Sequence, residues 1–553
     1  MTPRPSRHKR FMEGQMNSNT SSRSGSRTPV PDGEESEGID VNFHNLEEVL
    51  ASKLESSLSV SGYDKSMSIN EQLSDSKQRE ASKANEARIH AGLASVNEII
   101  FSLGRSRTEV SSQSRELLLG YLYRNIVSKP LIVYNEENAG SSRYISVGSV
   151  ELLIKLLMTG EYRSSFEFLY LFRSCIALLA SDIEEFSELM SPQLFGKIES
   201  LVLEASNPYV TNANKASVVT GYAGLLMIFY NGSSGYGIEN KVHWFMEIAE
   251  GYFGASKSLN EQIRSGDREH STNLTDESED KRIVEESLVQ ASSESAVAIA
   301  ALHAAGCMVT LMSRSNYLND FVSELVRKAL TFCEEEDLEI AKAAGRLIAL
   351  CYESYTYENE EENQNDDPEF NYNAPYYEQA ELLATIERLA SVSTPKISKK
   401  NKKEMHSIFR DVANSITTYT DFEKRMAILK GSALGVELKD SLIKSSYLKL
   451  SKTKSLHINS WFLYFRLIHL KFCFGYGVQG QLISNESIRE VMREPPSHFQ
   501  ERYGNNENEG DVFQGPDESP GGKIFEEDDR KRTEKIRKAR LEKLTEQTPE
   551  ILD

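Results

Sequence analysis

Cysteine is scarce in this sequence, and its spacing excludes two classes of small domain. The 553-residue chain has five cysteines, scattered and without any Cys-x-x-Cys pair. An odd, irregular set fits neither a disulfide framework nor a structural zinc module. Most of them lie in apolar helical stretches, where cysteine behaves as a small hydrophobe. This usage is typical of a reducing compartment, so we expect the cytoplasm, with the nucleus as a second location.

Motifs of catalysis are also missing. The sequence contains no Gly-x-Ser-x-Gly elbow, no Walker loop and no His-x-x-x-His pair. Two histidines precede a cysteine by four residues, His303 with Cys307 and His469 with Cys473, which places each pair on one helix face. Both pairs lie in apolar stretches without a nearby carboxylate, so core packing is favoured over a metal site. We therefore predict no enzyme activity, no catalytic residue, no cofactor and no metal.

A literal Gly-x-Gly-x-x-Gly occurs at 475–480, where it has the wrong surroundings for a dinucleotide site. The motif needs a preceding strand and a following helix within a βαβ unit. Here an apolar, helix-like segment precedes it. The sequence favours a helix that ends at a glycine.

Long uninterrupted apolar runs are rare. The first thirty residues contain several arginines but no apolar run, so they do not form a secretory signal. Of two weakly charged stretches, 215–239 is broken by Asn-Gly-Ser-Ser-Gly, whereas 295–313 is long enough to cross a membrane but rich in alanine. A buried helix explains the second stretch better, and we predict neither a membrane contact nor a small-molecule substrate.

Helical periodicity is the dominant pattern of the sequence. Apolar residues recur at helical spacing in one block after another from about residue 85. One such face holds Phe168, Leu169, Phe172, Cys175, Ile176 and Leu179. Blocks of paired helices predict an all-α, armadillo- or HEAT-like repeat array without a sheet, with a small, mostly helical C-terminal domain and disordered termini. An irregular helical bundle is the alternative.

Changes of composition divide the chain into five parts. Two polar insertions are expected to form loops, and the stretch from Ser446 to Ile458 alternates as paired strands do. The stripe of Trp461, Phe465, Ile468 and Phe472 is expected to form the core of the C-terminal unit. The parts are a disordered segment at 1–84, the repeat domain at 85–393 with insertions at 255–281 and 358–373, a C-terminal domain at 394–495, a linker at 496–525 and a basic tail helix at 526–553.

Positive charge is concentrated near the C-terminal end of a chain whose net charge is −20. From Lys396 to Lys454 there are 14 Lys and Arg against 6 Asp and Glu, a local +8. Aligned cations neutralise phosphates without reading base sequence, so we predict RNA or phosphate contacts here and in the tail. A solvated linker and a soluble tail are the alternative. The predicted contact residues are Lys399, Lys400, Lys402, Lys403, Arg530, Lys531, Arg532, Lys535, Arg537, Lys538, Arg540 and Lys543.

One phosphorylation site is predicted in the N-terminal segment. Thr28 stands before Pro29 and close to Arg23 and Arg27. Phosphate there would add about −2 charge beside the arginines.

Several short segments together resemble the interferon-related developmental regulator family. The similarity covers roughly residues 85–495, in the right order. Arg346 replaces a glutamate of the family's helix, and the acidic insertion at 358–369 is a second departure. The segments are Ile340–Leu350, Ser407–Val412 (which follows the lysine cluster at 396–403), Ile458–Trp461, Gly475 with Gly477, and Gln481–Asn485.

The resemblance implies a non-enzymatic protein with an armadillo-like array and a small C-terminal domain. Family members are described on translationally inactive ribosomes, where a C-terminal helix lies in the path of transfer and messenger RNA. They are also described as transcriptional co-regulators that meet histone-deacetylase complexes. We therefore expect a ribosome-associated regulator of translation or stress recovery that contacts ribosomal RNA. The alternative is a nuclear adaptor that binds transcription factors and corepressors.

Overall fold

The described part of the chain is a succession of α-helices with two small β pairs. The computed structural model describes residues 95–494, apart from gaps at 129–130, 134–143, 205–206, 234, 270–276, 314, 316, 335–336, 358–370, 372, 392–398, 434–445 and 451–454. The predictions for Thr28, for the disordered N-terminal segment, for most of the acidic insertion and for the tail lie outside the described residues.

The helices in the first half of the described part begin with a short α1. They are α1 (Val96–Leu103), α2 (Ser112–Ser128), α3 (Val147–Thr159), α4 (Ser165–Ser181), α5 (Ile183–Phe186), α6 (Pro192–Leu203), α7 (Asn212–Phe229), α8 (Ile238–Glu269) and α9 (Glu277–Val309).

The second half contains the helices nearest to the predicted interface. They are α10 (Leu318–Cys333), α11 (Leu338–Ser354), α12 (Gln379–Ser391), α13 (Lys399–Thr420), α14 (Phe422–Ala433), α15 (Trp461–Phe474), α16 (Val478–Ser484) and α17 (Glu486–Val491). The predicted all-α array is confirmed.

Two β pairs interrupt the helices. β1 (Ile132–Val133) pairs in parallel with β2 (Tyr144–Ile145), so the prediction of an array without a sheet was wrong at this pair, which is too short, at two residues per strand, to show in the apolar period. β3 (Ser446–Lys449) pairs antiparallel with β4 (Ser455–Ile458), as the alternation of that stretch predicted.

Serine and threonine begin many of the helices. Ser164, for example, accepts a hydrogen bond from the Glu167 amide at 3.0 Å and so satisfies one of the free amides of α4. Asp337 does the same for two amides of α11. Because these side chains stand directly before an apolar, helix-periodic run, they fix where each helix starts.

Six helical hairpins follow one another in the described residues. Each hairpin pairs an outer helix with an inner one, and each inner helix packs on the next inner helix. This is the arrangement of a two-helix repeat array, in which each pair buries its apolar face against its neighbours. The hairpins are α1–α2, α3–α4, α6–α7, α8–α9, α10–α11 and α12–α13.

The inner helices run parallel, and side-chain contacts join the starts of α4, α7 and α11 and the middle of α9 at one end of the array. The Asn214 amide of α7 donates to the Ser165 carbonyl of α4 at 3.3 Å, and Asn212 reaches Ser293 of α9 at 3.4 Å. Ser295 of α9 then donates to Asp337, the N-cap of α11, at 2.7 Å. We call this side of the molecule the N-terminal end of the array.

Helices α8 and α9 extend past this end as an arm, defined as residues 254–269 and 277–292. Residues 255–281 were expected to form a loop, but α8 continues to Glu269 and α9 begins at Glu277. The prediction was wrong because the polar composition was taken for a loop, whereas Leu259, Ile263, Val284 and Ala291 keep helical spacing. Each of the two helical segments of the arm has 16 residues and is therefore about 24 Å long at 1.5 Å per residue.

Helix α15 crosses the inner helices, from α11 at its start to α4 at its end, and fills the groove that they form. It packs on α4, α7, α9 and α11, and Trp461 donates its indole N–H to Ser415 of α13 at 2.7 Å. The predicted apolar stripe is buried, with Phe465 and Ile468 at most 1 % exposed. Its partners, however, are the helices of the repeat array, so residues on both sides of the predicted boundary at 393 share one core.

Candidate nucleic-acid interface and the filled groove

The start of α13 carries four of the predicted phosphate-contacting lysines. Lys399, Lys400, Lys402 and Lys403 fall within its first five residues, and its first turn has no acidic residue. The amide end of a helix carries partial positive charge, so each cation there is unfavourable by about 0.3–1 kcal/mol. A local charge arrangement that opposes the helix dipole is typical of a functional site.

The first acidic residue of α13 is already engaged. Glu404 accepts a hydrogen bond at 3.2 Å from Lys342, a lysine of α11 that is only 4 % exposed and also contacts Glu339. Lys403 is exposed and Lys402 half-buried, and Arg410 continues the exposed face two turns later. Lys403 therefore faces solvent on a helix that Lys342 and Glu404 join to α11.

The other predicted contact residues belong to the tail. Residues 530–543 lie outside the described residues, so phosphate binding by the tail remains a prediction from the sequence.

The groove contains a buried arginine at its centre. Arg466 of α15 donates at 3.0 and 3.1 Å to the hydroxyl and carbonyl of Thr310, and at 2.8 Å to Asn231. It also donates at 2.6 Å to the Val491 carbonyl, and its guanidinium lies 4.2 Å from the Phe462 ring centroid. Four acceptors on three other segments satisfy this cation, so it stabilises the groove and is not available to RNA.

A second buried arginine approaches α15 from the opposite wall. Arg173 of α4 donates to the Phe472 carbonyl at 2.6 Å, near the end of α15 where carbonyls lack helical partners. Its guanidinium also lies 4.3 Å from the centroid of the Phe472 ring. The side chain therefore caps α15 and stacks on it.

A carboxylate holds the other end of the groove helix. Glu353 of α11 accepts hydrogen bonds from the amides of Trp461 and Phe462 at 2.8 and 2.9 Å, two of the free amides at the start of α15. The pKa of Glu353 is raised to about 8, chiefly by burial and also by the nearby Glu494, while the two amides act in the opposite direction. Glu494 itself accepts a hydrogen bond from Ser460. The start of α15 is thus held by two crowded carboxyl groups.

The two His–Cys pairs face each other across the contact of α9 with α15. Burial lowers the pKa of His303, and Arg346 and His469 add to the effect. Burial also raises the pKa of the Cys473 thiol to about 12, which disfavours the thiolate that binds metals. Among the described residues no three His, Cys, Asp or Glu side chains are close enough to hold a metal ion together. Core packing is the role that these contacts support.

The glycine motif is a helix end, as predicted. Gly475 ends α15 with a positive φ of 53°. A Cβ on Gly477 would lie 1.6 Å from the carbonyl oxygen of Val127 in α2. The protein's own backbone therefore occupies the close approach that a pyrophosphate would need.

One helical segment of the described residues, Arg282–Val309, has the length and hydropathy to cross a membrane. It contains most of the alanine-rich stretch, and 72 % of its apolar window is buried inside the protein. This pattern is typical of a core helix.

Comparison with known proteins identifies the family. The sequence profile of the interferon-related developmental regulator (IFRD) family matches residues 59–417, well over half of the chain. The chain belongs to the IFRD family. Comparison with curated proteins and with solved structures gave no match.

The IFRD match includes the start of α13 and ends before the groove helix. The lysine cluster is therefore part of the matched region, whereas α15 follows it. Sequence reasoning found the lysines but missed the roles of Arg466 and Glu353. An arginine inside the apolar run 461–474 was the one available signal, because a buried cation needs several acceptors.

Proposed function

We propose that this IFRD chain is a non-enzymatic scaffold that binds ribosomes through ribosomal RNA and regulates translation or recovery from stress. The lysine-rich start of α13 carries the proposal. Its cations oppose the helix dipole, Lys403 is exposed, and the Lys342–Glu404 ion pair joins this helix to α11.

Phosphate is the partner that fits this cluster best. Lysine is a compact, flexible point charge, suited to a polyanionic backbone and less suited to a shaped pocket. The basic tail, Arg530 to Lys543 in the sequence, would add eight cations to the same partner. An adaptor that receives peptides in an apolar groove fits less well, because α15 fills the groove.

The decisive experiment is co-sedimentation of the full chain with ribosomes at rising salt. We expect wild-type protein to sediment at low salt and to dissociate as salt increases, because phosphate contacts release counterions. Lys402→Glu with Lys403→Glu should weaken binding at least about tenfold, since it replaces two contacts with repulsion.

The matched control reverses two exposed lysines elsewhere. Lys155→Glu with Lys257→Glu changes the net charge equally, on α3 and α8, and should bind as wild type does. A separate variant reverses Arg530, Lys531, Arg532, Lys535, Arg537 and Lys538 and tests the tail. Equal binding of all variants would contradict the proposal, and recovery of deacetylase subunits after ribonuclease treatment would favour the nuclear adaptor role.

A further inference from the structure

A cavity lies at the N-terminal end of the array, away from the lysine cluster. It has a volume of about 180 Å³ and lies between the loop after α1, the end of α3 and the start of α4. A cavity of about 150 Å³ accommodates a benzene ring, so this one has room for a small ligand. No property of the ribosome proposal depends on it.

One wall of the cavity is a buried Arg–Glu–Arg triad. Glu167, 2 % exposed, accepts hydrogen bonds from Arg107 at 3.0 and 3.3 Å and from Arg115 at 2.8 Å. The Arg163 amide adds a fourth bond at 2.9 Å. Burial alone would raise the pKa of Glu167, but these hydrogen bonds lower it overall, so the carboxylate is ionised at neutral pH.

The triad has one positive charge more than its carboxylate neutralises. Four donors already occupy the two oxygens of Glu167, which leaves little capacity for another. Arg115 is 6 % exposed, and its other partner among the described residues is the Leu103 carbonyl, which accepts from Nη1 at 2.6 Å. Its Nη2 donates to none of the described residues. Because Nη2 is not among the fully buried atoms, this donor is open to solvent and can bond to an acceptor that enters the cavity.

Apolar side chains form the remaining walls. Leu103, Leu156, Leu171 and the ring of Tyr162 line the space beside the triad. Arg105 stands at its rim and adds a further positive charge, while Glu161 at the rim is exposed and therefore solvated. The cavity thus combines a cationic wall with a compact apolar one.

We propose that this cavity binds an organic anion, with a phosphate or carboxylate head on the Arg107–Arg115 wall and a compact apolar or aromatic body against the leucines. A guanidinium can donate two N–H bonds to two oxygens of either a carboxylate or a phosphate head, and such charge-assisted bonds are the strong ones. The volume limits the body to about one ring.

The test uses phenyl phosphate, benzoate and the neutral benzyl alcohol as probes of the full chain. Titration by NMR or calorimetry should show dissociation constants of about 1 mM for the anions, a typical affinity for fragments of this size. Benzyl alcohol should bind at least about tenfold more weakly, because it lacks the charged head. The tighter of the two anions identifies the preferred head group.

Two variants locate the site. Arg115→Lys keeps the charge but loses the fork, and Leu156→Trp fills the space without changing any charge; each should weaken anion binding at least about tenfold. Arg124→Lys, on the same helix α2 but outside the cavity, is the matched control. If Arg115→Lys fails to fold, Leu156→Trp decides. Absence of anion binding, equal binding of benzyl alcohol, or full binding by Leu156→Trp would overturn the proposal.

Discussion

The groove and the first turn of α13 both concentrate charge, but the charges have opposite surroundings. In the groove, Arg466 and Arg173 donate to carbonyls and stack on rings, and Glu353 accepts from two free amides. At the start of α13, four lysines stand together where the helix dipole disfavours them. A buried cation such as Arg466, with an acceptor on each of several segments, holds a fold together. Cations placed where the helix dipole disfavours them instead indicate a binding role.

Removal of the central groove cation should have the largest effect on stability. Arg466→Met leaves the Thr310 and Val491 carbonyls buried without their donor, so we expect a loss of about 3 kcal/mol or more in the free energy of unfolding. Chemical denaturation of the purified variant measures it. Arg346→Met is the control, because Arg346 lies 5.3 Å from the Tyr464 ring centroid and should cost less than about 1 kcal/mol. Equal losses would show that Arg466 has no special role in the groove.

A substitution behind the groove helix should have the next largest effect. Gly477→Ala places a Cβ against the Val127 carbonyl, so the segment after α15 must shift away from α2. We expect a loss of about 2 kcal/mol, measured by thermal or chemical unfolding. Gly251→Ala, in an open position of α8, should instead stabilise by up to about 1 kcal/mol, because alanine favours the helix. If Gly477→Ala leaves the free energy of unfolding unchanged, the segment after α15 can move away from Val127 at little cost.

The carboxylate at the start of α15 should give the groove a pH dependence. Because the pKa of Glu353 is about 8 in the folded chain against 4.5 as its ordinary value, the folded state holds its proton more tightly. That contribution to stability is complete below about pH 4.5 and is lost as the pH rises through about 8.

Glu353→Gln isolates this effect, since the amide stays neutral at every pH. The wild type should lose stability relative to the variant between pH 6 and pH 9 in denaturation experiments, while the other titrating groups cancel in the difference. Parallel curves for the two proteins would mean that Glu353 is ionised throughout, held by the amides of Trp461 and Phe462.

The arm should matter least to stability. Ser256 and Ala291 are buried there, but Ile283, Leu288 and Val289 are about half exposed or more. Replacement of residues 260–287 by a short Gly–Ser turn should therefore change the melting temperature by no more than about 2 °C. Replacement of residues 461–474 by a linker is the contrasting experiment and should abolish cooperative unfolding. A large effect of the arm deletion would place part of the core in the arm.

The positions of the helices could be predicted because the apolar period is regular within each one. Phe168 to Leu179 and Ile340 to Cys351 became α4 and α11 with ends within a few residues. Serine and aspartate caps mark several of those ends in the sequence itself. Local spacing and local hydrogen bonds determine this level of structure.

The place of α15 could not be predicted, because it depends on contacts between distant parts of the chain. Arg173 and Phe472 are 299 positions apart. The stripe from Trp461 to Phe472 shows that the helix is buried, but not that its partners are α4, α7, α9 and α11. The arm was missed for the opposite reason: its helices bury so little that their composition resembles a loop. The lysine cluster could be predicted because charged residues can be counted in the sequence without knowledge of the fold.

Because α15 fills the groove, its late synthesis determines when the core of the newly made protein can be completed. The inner helices cannot acquire their shared core until α15 has been synthesised, 296 residues after the start of α4. At about 5–20 residues per second, that interval is roughly 15–60 s, during which the apolar walls of the groove remain uncovered. Folding from the N-terminal end therefore stops short of completion, and the early hairpins need protection from association until the last helix arrives.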